Sequence, residues 1–457
     1  MIEFVDSWID AHEDDMVRAL QGSVRISSVQ AAPLPGAPFG QGCRDALDYT
    51  LRLCESLGFT TGDLEGYAGY ADAGEGEQML AVLSHLDVVP AGEGWSGEPF
   101  SGDLIDGKIM GRGSLDNKGP SIASIFALAA LKASGLPFKR KVRLIFGCNE
   151  ESGMRCMEHY RAHAQIPDIA FTPDGYYPLV QSEKHILHTT HARAYASSVT
   201  LKAGTAVNVV PGKAVATVPV PYEVAEPICS AFAQKSGFGC TCERDGAGTS
   251  ITMTGVFAHG SLPENGKNTV QGMLALFTEL PLTGEDARVA ASLNESFAME
   301  YNGERLGIDV TDDSGRITIN VGLMDWNSEG ISVSIDIRHP ISLDASKVNA
   351  ALDGAFAKIG AERVDTFIDK GMYVATDSEL YHALMGAFEG RFGKGAQPLH
   401  IGGGTYARRF ENAAAFGPAL KERENDAHVA NEFFRTEYLF TDAKVIADAI
   451  AALAIDA

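Results

Sequence analysis

The sequence predicts an α/β protein that has a mixed, mostly parallel sheet with helices on both faces and an inserted α+β domain. Short apolar runs alternate with helical patterns over the first 180 residues, which is the order that builds a mostly parallel sheet. From about His185 the alternation becomes β-rich, and helical patterns return after about Asp377. We therefore predict a discontinuous domain over 1–184 and 375–457, interrupted by a second domain over 185–374.

The predicted elements of the first part carry clear start and stop signals. Three short apolar runs are typical of strands, at 79–84, 142–147 and 169–172. Helical patterns cover 120–132 and 151–164. Pro120 suits the first turn of the earlier helix, and Gly135 suits the position just past its end. The order strand, helix, strand favours parallel pairing.

The inserted part and the C-terminal part complete the prediction. In the insertion, β-rich alternation indicates strands at 199–201, 250–255, 316–322 and 331–337, and helical patterns cover 269–280 and 348–359. The C-terminal part contains a helix at 378–392, a short strand at 399–401 and a long amphipathic helix at the end. If these last elements complete the first sheet, two distant parts of the chain build one domain.

Composition and charge exclude several classes of protein. The chain has 457 residues with 37 Lys+Arg against 60 Asp+Glu, so its net charge of -23 repels phosphate backbones and we expect no nucleic-acid partner. The acidic first 20 residues do not resemble a signal peptide, and the richest apolar stretch, 122–131, is too short to span a membrane. Seven cysteines without a Cys-x-x-Cys pair indicate a reducing compartment. We expect a cytoplasmic protein with no membrane partner.

Several segments place metal-ligating side chains directly after predicted strands or before a predicted helix. They supply His85, Asp87, Asp116, Glu150, Glu151 and Asp174, and His428 follows far downstream in Glu424-Asn425-Asp426-Ala427-His428. The carboxyl ends of parallel strands border the crevice in which α/β proteins bind ligands. Mixed nitrogen and oxygen ligation suits two Zn²⁺ or Mn²⁺ ions that share one bridging carboxylate.

Each segment also has a purely structural alternative. His85 could hydrogen-bond a nearby carboxylate, and the residues around Asp116 could cap the following helix. Glu150 and Glu151 could interact only with a helix dipole, and Asp174 could belong to a turn. The glycine spacing around Asp116 fits neither a P-loop nor the dinucleotide fingerprint, which disfavours a nucleotide-binding oxidoreductase.

Taken in order, these segments resemble the dinuclear-metal aminoacylase/carboxypeptidase superfamily. The resemblance rests on His85-Leu86-Asp87, Asp116-Asn117-Lys118-Gly119-Pro120, Glu150-Glu151-Ser152, Pro173-Asp174 and His428. The segments most similar to the dipeptidase V (PepV-like) branch are 111–120, 171–174 with Glu183-Lys184, and 403–408. The resemblance spans nearly the whole chain. It implies a zinc-exopeptidase-like fold in which 185–374 is a lid domain and the remainder is a catalytic di-metal domain.

Residue by residue, the resemblance implies two divalent metal ions and a general base. His85, Asp116 and Asp174 would hold one ion, while Asp116, Glu151 and His428 would hold the other. Glu150 would be the general base for a metal-bridging water, and Asp87 would orient His85. Asn117 stands where the family often has a second Asp, which preserves the local shape but removes a charge.

Further similar segments imply contacts with the substrate. His259 would stabilise the tetrahedral oxyanion, and Asn208 and Arg338 would lie near the substrate carboxylate. A guanidinium suits a carboxylate because its planar fork makes two parallel hydrogen bonds, although Arg338 alone is typical of a surface ion pair. Gly403 and Gly404 would contact the carboxyl end of the substrate, and their alternative is a turn with unusual dihedral angles.

The resemblance implies a metal-dependent dipeptidase that hydrolyses the amide bond of short peptides with a free C-terminal carboxylate. An N-acyl-amino-acid deacylase, removing an acetyl or succinyl group, is the closest alternative because it breaks the same bond. The size of the insertion favours the dipeptidase, and a lid that closes the site of its own chain favours a monomer. A metal-free binding protein with this fold is disfavoured by the intact ligand set.

Other histidines and cysteines do not fit metal sites. His159 and His163 share a helix face but lack the Glu of a zinc protease motif, and we expect both to be exposed. His185, His188 and His191 lie at odd spacing along a strand, and we expect them to face solvent. Cys240 and Cys242 lack partners at zinc-finger spacing, which indicates ordinary thiols.

Overall fold

The computed structural model describes residues 2–420, 423 and 427–455. The chain forms two compact units. The first unit comprises Met1–Ser182, Met372–Leu399 and Gly404–Ala457, and the second comprises Glu183–Gly371 and His400–Gly403. The first unit thus combines distant parts of the chain. The predicted roles of a catalytic domain (1–184 and 375–457) and a lid domain (185–374) stay predictions.

The first unit contains a nine-stranded sheet. Eight strands lie in the order Thr60–Leu64, Ala68–Ala73, Lys141–Gly147, Met79–His85, Ile169–Thr172, Ala413–Ala415, Val180–Glu183 and Met372–Tyr373, and Leu399–Ile401 pairs with Val180–Glu183. The four strands from Lys141–Gly147 to Ala413–Ala415 are parallel neighbours. The strands Thr60–Leu64 and Ala68–Ala73 join them in antiparallel order. The predicted mixed, mostly parallel sheet is therefore confirmed.

Helices accompany this sheet. Among the described residues of the first unit they are Ile2–Ala11, Glu13–Val24, Gln41–Ser56, Gly119–Ala133, Arg155–His163, Glu379–Phe392 and Thr436–Ala454. All seven residues of the strand Met79–His85 are buried. Since alternate strand residues point to opposite faces, both faces of the sheet are covered there. In the part of the chain that is described, no helix has the length and apolar character needed to cross a membrane.

The helix Gly119–Ala133 follows the signals in its sequence. Pro120 lies in its first turn, where the missing N–H has no intrahelical partner to lose, and Gly135 follows its end with a φ of 70°. The later helix does not begin at residue 151 as predicted. It begins at Arg155, because Gly153 and Met154 have φ angles of 121° and 57° that no helix accommodates. Glu150 and Glu151 therefore lie in a turn.

The second unit is built on an eight-stranded antiparallel sheet. Its strand order is Gly239–Asp245, Gly248–Thr254, Lys213–Val218, Thr200–Ala203, Thr318–Asn327, Gly330–His339, His185–Ala194 and Glu362–Asp369. Its longer helices are Tyr222–Ser236, Thr269–Glu279, Gly284–Phe297 and Ala345–Ala357. Alternate residues of strands such as Lys213–Val218 are buried, so one face of the sheet packs on the core. This is an α+β architecture.

Two predictions about histidines are wrong. His191 is buried rather than solvent-facing, because its ring stacks on Phe356 with centroids 4.1 Å apart. Its Nε2 lies 3.1 Å from Asp353 Oδ1, which satisfies the ring inside the protein. His159 is partly buried because it stacks on Tyr67 at 4.0 Å, whereas His163 is exposed.

Candidate active site

Four of the predicted site residues meet at one edge of the first unit's sheet. His85 ends its strand and pairs with Gly147 of the parallel strand beside it. Glu150 and Glu151 come after Gly147 with two residues between, and Asp174 follows the parallel strand on the other side of His85. Parallel strands end at the same edge, so side chains that follow them converge although they are far apart in sequence.

Asp116 approaches the same edge from the turn Ser114–Lys118, which precedes the buried helix. Gly113 enters this turn with a φ of 81°, and a Cβ there would lie 2.4 Å from a Val88 methyl carbon. Lys118 is buried, and its Nζ donates hydrogen bonds of 3.0 and 2.7 Å to backbone carbonyl oxygens at 23 and 26. The turn is thereby held from both ends.

Asn117 links this turn to Asp174. The peptide bond that precedes Asn117 is cis. Its side-chain amide donates to Pro173 O at 2.7 Å and to Asp174 Oδ1 at 3.3 Å. A carboxylate could not donate either bond. Asn117 therefore contributes hydrogen bonds to the Asp174 side chain and the Pro173 carbonyl rather than another negative charge.

Glu432 organises the Asp116 turn and was missed by the sequence prediction. It is buried, and its Oε1 accepts backbone N–H bonds from Gly113, Leu115 and Asp116 at 3.0, 3.1 and 3.3 Å. Its other oxygen accepts from the buried guanidinium of Arg112. No local pattern marks it, since its partners lie more than 300 residues away; its position four residues after His428 is the single available hint.

His85 lies between two carboxylates. Its Nε2 is 2.8 Å from Asp116 Oδ1 and 3.6 Å from Asp174 Oδ2. Its Nδ1 lies 2.9 Å from the backbone oxygen of Asp87, which fixes the ring with Nε2 directed at the carboxylates. The Asp87 carboxylate is 3.7 Å from the ring, so the orienting contact is made by the main chain of Asp87.

The Asp87 carboxylate instead positions the paired glutamates. Its two oxygens accept the backbone N–H groups of Glu150 and Glu151 at 2.9 and 3.1 Å. Asp87 is itself buried, so its charge depends on these bonds for compensation. Asp87 thus connects His85, which ends one strand, to the glutamates that follow the next.

His428 completes the cluster. Its Nε2 is 3.0 Å from Asp116 Oδ2 and 3.2 Å from Glu151 Oε1. The two oxygens of Asp116 therefore contact different imidazoles, with His85 at Oδ1 and His428 at Oδ2. Such a carboxylate has the geometry of a bridge. The residues 424–426 just before His428 lie outside the described residues.

The buried charges of this cluster shift one another's protonation. Burial, reinforced by repulsion from Asp174, raises the pKa of Glu150 well above its ordinary value. Burial also raises the pKa values of Asp174 and Glu151. Hydrogen bonds to Asp116 and Glu151 raise the pKa of His428 to about 10. Several carboxylates removed from water in this way are stabilised by bound cations.

The donor atoms fit divalent metal ions. His85, Asp116 and Glu151 offer ligand atoms within 4.8 Å of one another, and so do His85, Glu150 and Asp174. Imidazole nitrogen together with carboxylate oxygen suits Zn²⁺ and Mn²⁺. The second group contains Glu150, which the resemblance keeps free as a base. The distances alone therefore do not show which of these acidic residues would bind a metal ion and which would act as the general base.

The predicted substrate residues of the second unit form a cluster of their own. Gly260 N donates to Asn208 O at 2.7 Å, and His259 Nδ1 lies 2.7 Å from Ser261 Oγ. Arg338 is buried and its Nε and Nη2 bind both oxygens of Asp336 at 2.8 and 3.2 Å. Its Nη1 donates to the Gly402 carbonyl at 2.9 Å. Arg338 is therefore not the surface ion-pair residue of the alternative interpretation.

The glycine run 402–404 does not depend on unusual dihedral angles, since none of the three has a positive φ, and only Gly402 and Gly404 are constrained by space. A Cβ on Gly402 would lie 2.9 Å from Ser261, and one on Gly404 would lie 2.3 Å from the Arg408 guanidinium. A Cβ on Gly403 would have its nearest neighbour 3.9 Å away, at Ile401. The alternative of a turn that needs left-handed backbone is thus wrong.

Comparison of the sequence with known proteins gives a consistent result. The model of Peptidase family M20/M25/M40 matches residues 81–452. The protein named "Putative dipeptidase YtjP" from Bacillus subtilis (strain 168) is 34% identical over 459 residues, covering 97% of this chain and 98% of that protein. Another protein named as a "Putative dipeptidase", from Staphylococcus saprophyticus, is 30% identical over 475 residues and covers 98% and 99% of the two chains.

Solved structures share the fold at low sequence identity. Human carnosine dipeptidase 1 is similar with a TM-score of 0.59 and 16% identity, over 99% of this chain and 98% of that one. The di-peptidase Dug1p from Saccharomyces cerevisiae gives 0.61 and 15% over the same shares. Aminoacylhistidine dipeptidase from Vibrio alginolyticus gives 0.58 and 16%, with 95% of each chain covered.

Proposed function

Since this chain belongs to Peptidase family M20/M25/M40, as its sequence motifs predicted, we propose that it is a metallo-dipeptidase acting on short peptides with a free C-terminal carboxylate. One observation carries the proposal: His85, Asp116, Glu150, Glu151, Asp174 and His428 converge at a single sheet edge. The names of the full-length relatives support a dipeptide substrate.

We propose that the cluster holds two divalent ions, Zn²⁺ or Mn²⁺. His85, Asp116 and Asp174 would bind one ion, and Asp116, Glu151 and His428 the other. The different imidazoles at the two oxygens of Asp116 support its assignment as the bridge. When bound, such ions polarise the scissile carbonyl and lower the pKa of the attacking water.

Glu150 is the proposed general base. Its carboxylate would accept a proton from the attacking water and return it to the nitrogen of the leaving amine. Burial and neighbouring acids raise its pKa, which brings a carboxylate closer to the neutral range in which it can accept and release a proton. Asp87 contributes indirectly, because it holds the Glu150 backbone and the His85 ring in place.

The second unit would supply substrate contacts. We assign stabilisation of the oxyanion to His259 and recognition of the substrate carboxylate to Asn208 and Arg338. The described contacts use three of the five N–H donors of Arg338, so its guanidinium retains donors for a carboxylate. For Gly403, the open space above its Cα suits close approach of a substrate to the backbone, and Gly404 is assigned the same role.

We also propose a cytoplasmic location, no nucleic-acid partner and a monomeric state. All seven cysteines are free thiols, five of them buried, which supports a reducing compartment such as the cytoplasm. The net charge of -23 supports the expectation that nucleic acid is not a partner. The monomeric state stays a prediction.

A substrate panel tests the function. Apo protein is reconstituted with Zn²⁺ or Mn²⁺ separately and assayed against dipeptides, the same dipeptides with an amidated carboxyl end, tripeptides, and N-acetyl and N-succinyl amino acids. We expect the free dipeptides to give the highest kcat/KM and amidation to lower it strongly. Faster hydrolysis of N-acyl amino acids than of any dipeptide would assign the deacylase alternative instead.

A further inference from the structure

Three cysteines of the second unit form a cluster that the proposed hydrolysis does not use. Cys229 lies on the helix Tyr222–Ser236, and Cys240 and Cys242 lie on the strand Gly239–Asp245. Their three sulfur atoms all lie within 4.8 Å of one another. The sequence indicated two ordinary thiols, because nothing in the spacing of residues 240 and 242 points to a third cysteine on the helix before them.

Strand geometry explains why the sulfurs converge. Residues two apart on a strand project from the same face, so Cys240 and Cys242 are neighbours on one side of the sheet. Their partners on the adjacent strand, Met253 and Ile251, are both buried, which identifies this side as the core-facing one. Cys229 is buried on the helix that covers it. Three thiols from two elements are thereby directed at one point.

The spacing of these sulfurs suits a single ion. Thiolates that each bind one Zn²⁺ at about 2.3 Å lie roughly 4 Å apart, which is compatible with the observed limit. Cys240 and Cys242 are half-buried residues of a strand at the edge of the sheet. A disulfide would join two of the three sulfurs and leave the third unused. The arrangement therefore suits one shared ligand better than one covalent bond.

Local electrostatics favours a cation at this point. A hydrogen bond from Cys229 lowers the pKa of the Cys240 thiol, while that same bond raises the pKa of Cys229 and burial raises the pKa of Cys242. One of the three thiols is therefore favoured as the thiolate that binds a metal first. Glu226, one helical turn before Cys229, is half-buried, and its negative charge, which contributes to the raised pKa of Cys242, would also attract a cation. The side chain of Glu226 accepts a hydrogen bond from Ser230 Oγ at 2.7 Å, which fixes the carboxylate on the helix.

We propose that Cys229, Cys240 and Cys242 bind one soft divalent cation, of the class of Zn²⁺ or Cd²⁺, in addition to the ions of the carboxylate and histidine cluster. Thiolate ligands select soft ions, whereas the first unit's site offers nitrogen and oxygen donors. The inference does not depend on the dipeptidase proposal, because the two sites share no residue.

The test uses Cd²⁺ as the probe on the full chain isolated with its own metals. Cd²⁺ bound per chain is measured after removal of the excess, together with the ultraviolet charge-transfer band of Cd²⁺–thiolate bonds. Wild type is compared with Cys240→Ser and Cys242→Ser, whose half-buried positions tolerate a hydroxyl, and with Cys229→Ala. We expect each variant to bind one equivalent less and to lose the charge-transfer band.

Thr241→Ala is the matched control, because Thr241 lies between the two strand cysteines but is exposed on the opposite face. It should retain the full Cd²⁺ equivalent and the band. Equal Cd²⁺ uptake in wild type and in both serine variants would overturn the proposal. A native wild-type protein that has a disulfide among these three cysteines, seen as a mass lower by two hydrogen atoms, would overturn it as well. If Cys229→Ala fails to fold, the two serine variants decide the outcome.

Discussion

The two units are built on sheets of similar size, with nine and eight strands, but they bring polar side chains together in different ways. In the first unit, parallel neighbours end at one edge, so His85, Glu150 and Asp174 converge from three strands. In the second unit, neighbouring strands are antiparallel and their ends alternate between opposite edges. Its polar contacts include pairs within one strand, as in Asp336 with Arg338, and pairs between a strand and a covering helix, as in His191 with Asp353.

The two units also differ in how their buried carboxylates are compensated. In the first unit's cluster, burial raises the pKa values of Glu150, Glu151 and Asp174, whereas hydrogen bonds to His428 and His85 lower the pKa of Asp116. Asp336 in the second unit has its pKa lowered despite burial, since His188 and Arg338 compensate it. The three acids of the first unit with raised pKa values support the proposed binding of cations there, whereas the buried charge of Asp336 is balanced by residues of its own unit.

Removal of metal ions should reveal the largest difference between the two units, because only the first is proposed to need them for hydrolysis. Treatment with a chelator is expected to reduce hydrolysis below detection, because the buried acids of the first unit lose their counter-ions. Adding Zn²⁺ or Mn²⁺ should restore activity and raise the melting temperature with increasing metal concentration. The measurement combines a dipeptide assay with calorimetry. Unchanged turnover in protein verified to be metal-free would contradict the role assigned to the cluster.

Substitution of the proposed base tests the chemistry within that cluster. Glu150→Gln should lower kcat about 10²- to 10⁴-fold, the usual contribution of general acid–base catalysis, while the metal content stays unchanged. Steady-state kinetics and elemental analysis measure the two quantities. Glu158→Gln, an exposed position on the following helix, is the control and should behave as wild type. Near-full turnover of Glu150→Gln with its metals bound would exclude Glu150 as the base.

Glu432 tests whether the first unit depends on contacts between distant parts of the chain. Glu432→Ala would leave the buried Arg112 without its carboxylate partner, with hydrogen bonds to the Val429 and Ala91 carbonyls alone, and three backbone N–H groups without an acceptor. Loss of one member of a buried ion pair costs about 3 to 5 kcal/mol, and we expect a decrease of that size in the free energy of unfolding. Urea denaturation measures it, with the exposed Glu437→Ala as the control. A change no larger than that of the control would show that Glu432 does not hold the turn.

The stability of the second unit should depend on pH, and this is the smallest of the expected effects. Burial, aided by the charge of His185, lowers the pKa of His339 to about 4, below the 6.5 of the ordinary imidazole. The folded state therefore disfavours protonation, so stability is full above pH 6.5 and is lost as the pH falls toward 4. The loss should reach about 2 kcal/mol and be absent in His339→Gln. Unfolding at pH 7 and pH 4.5 measures it, and equal losses in both proteins would reject this assignment.

Much of the first unit's fold was predictable from local patterns. The helix Gly119–Ala133 carries its boundaries in Pro120 and Gly135, and the strand Met79–His85 is a continuous apolar run because both of its faces are buried. The start of the next helix was not predictable from hydrophobic spacing. Its position depends on the positive φ angles at Gly153 and Met154, and Met154 is a residue type that rarely adopts them.

Some of the site residues were likewise predictable from local patterns, and others were not. His85, Glu150 and Asp174 each follow a strand, so a mostly parallel sheet was sufficient to predict that they meet. Glu432 and Cys229 were invisible because their partners approach through packing between separate elements. His191 was misjudged because a strand directs alternate side chains into the core whatever their polarity.

The amino-acid sequence by itself determined the family, the alternation of elements and the types of ligand that could be offered to a metal. The tertiary structure decided which of those ligands share atoms, as when the two oxygens of Asp116 contact different imidazoles. It also decided that Glu432 binds a turn 316 residues away and that three thiols converge in the second unit. The reason is physical: hydrogen bonds and metal ligation depend on distances of a few ångströms, and those distances are set by strand order and packing rather than by separation along the chain.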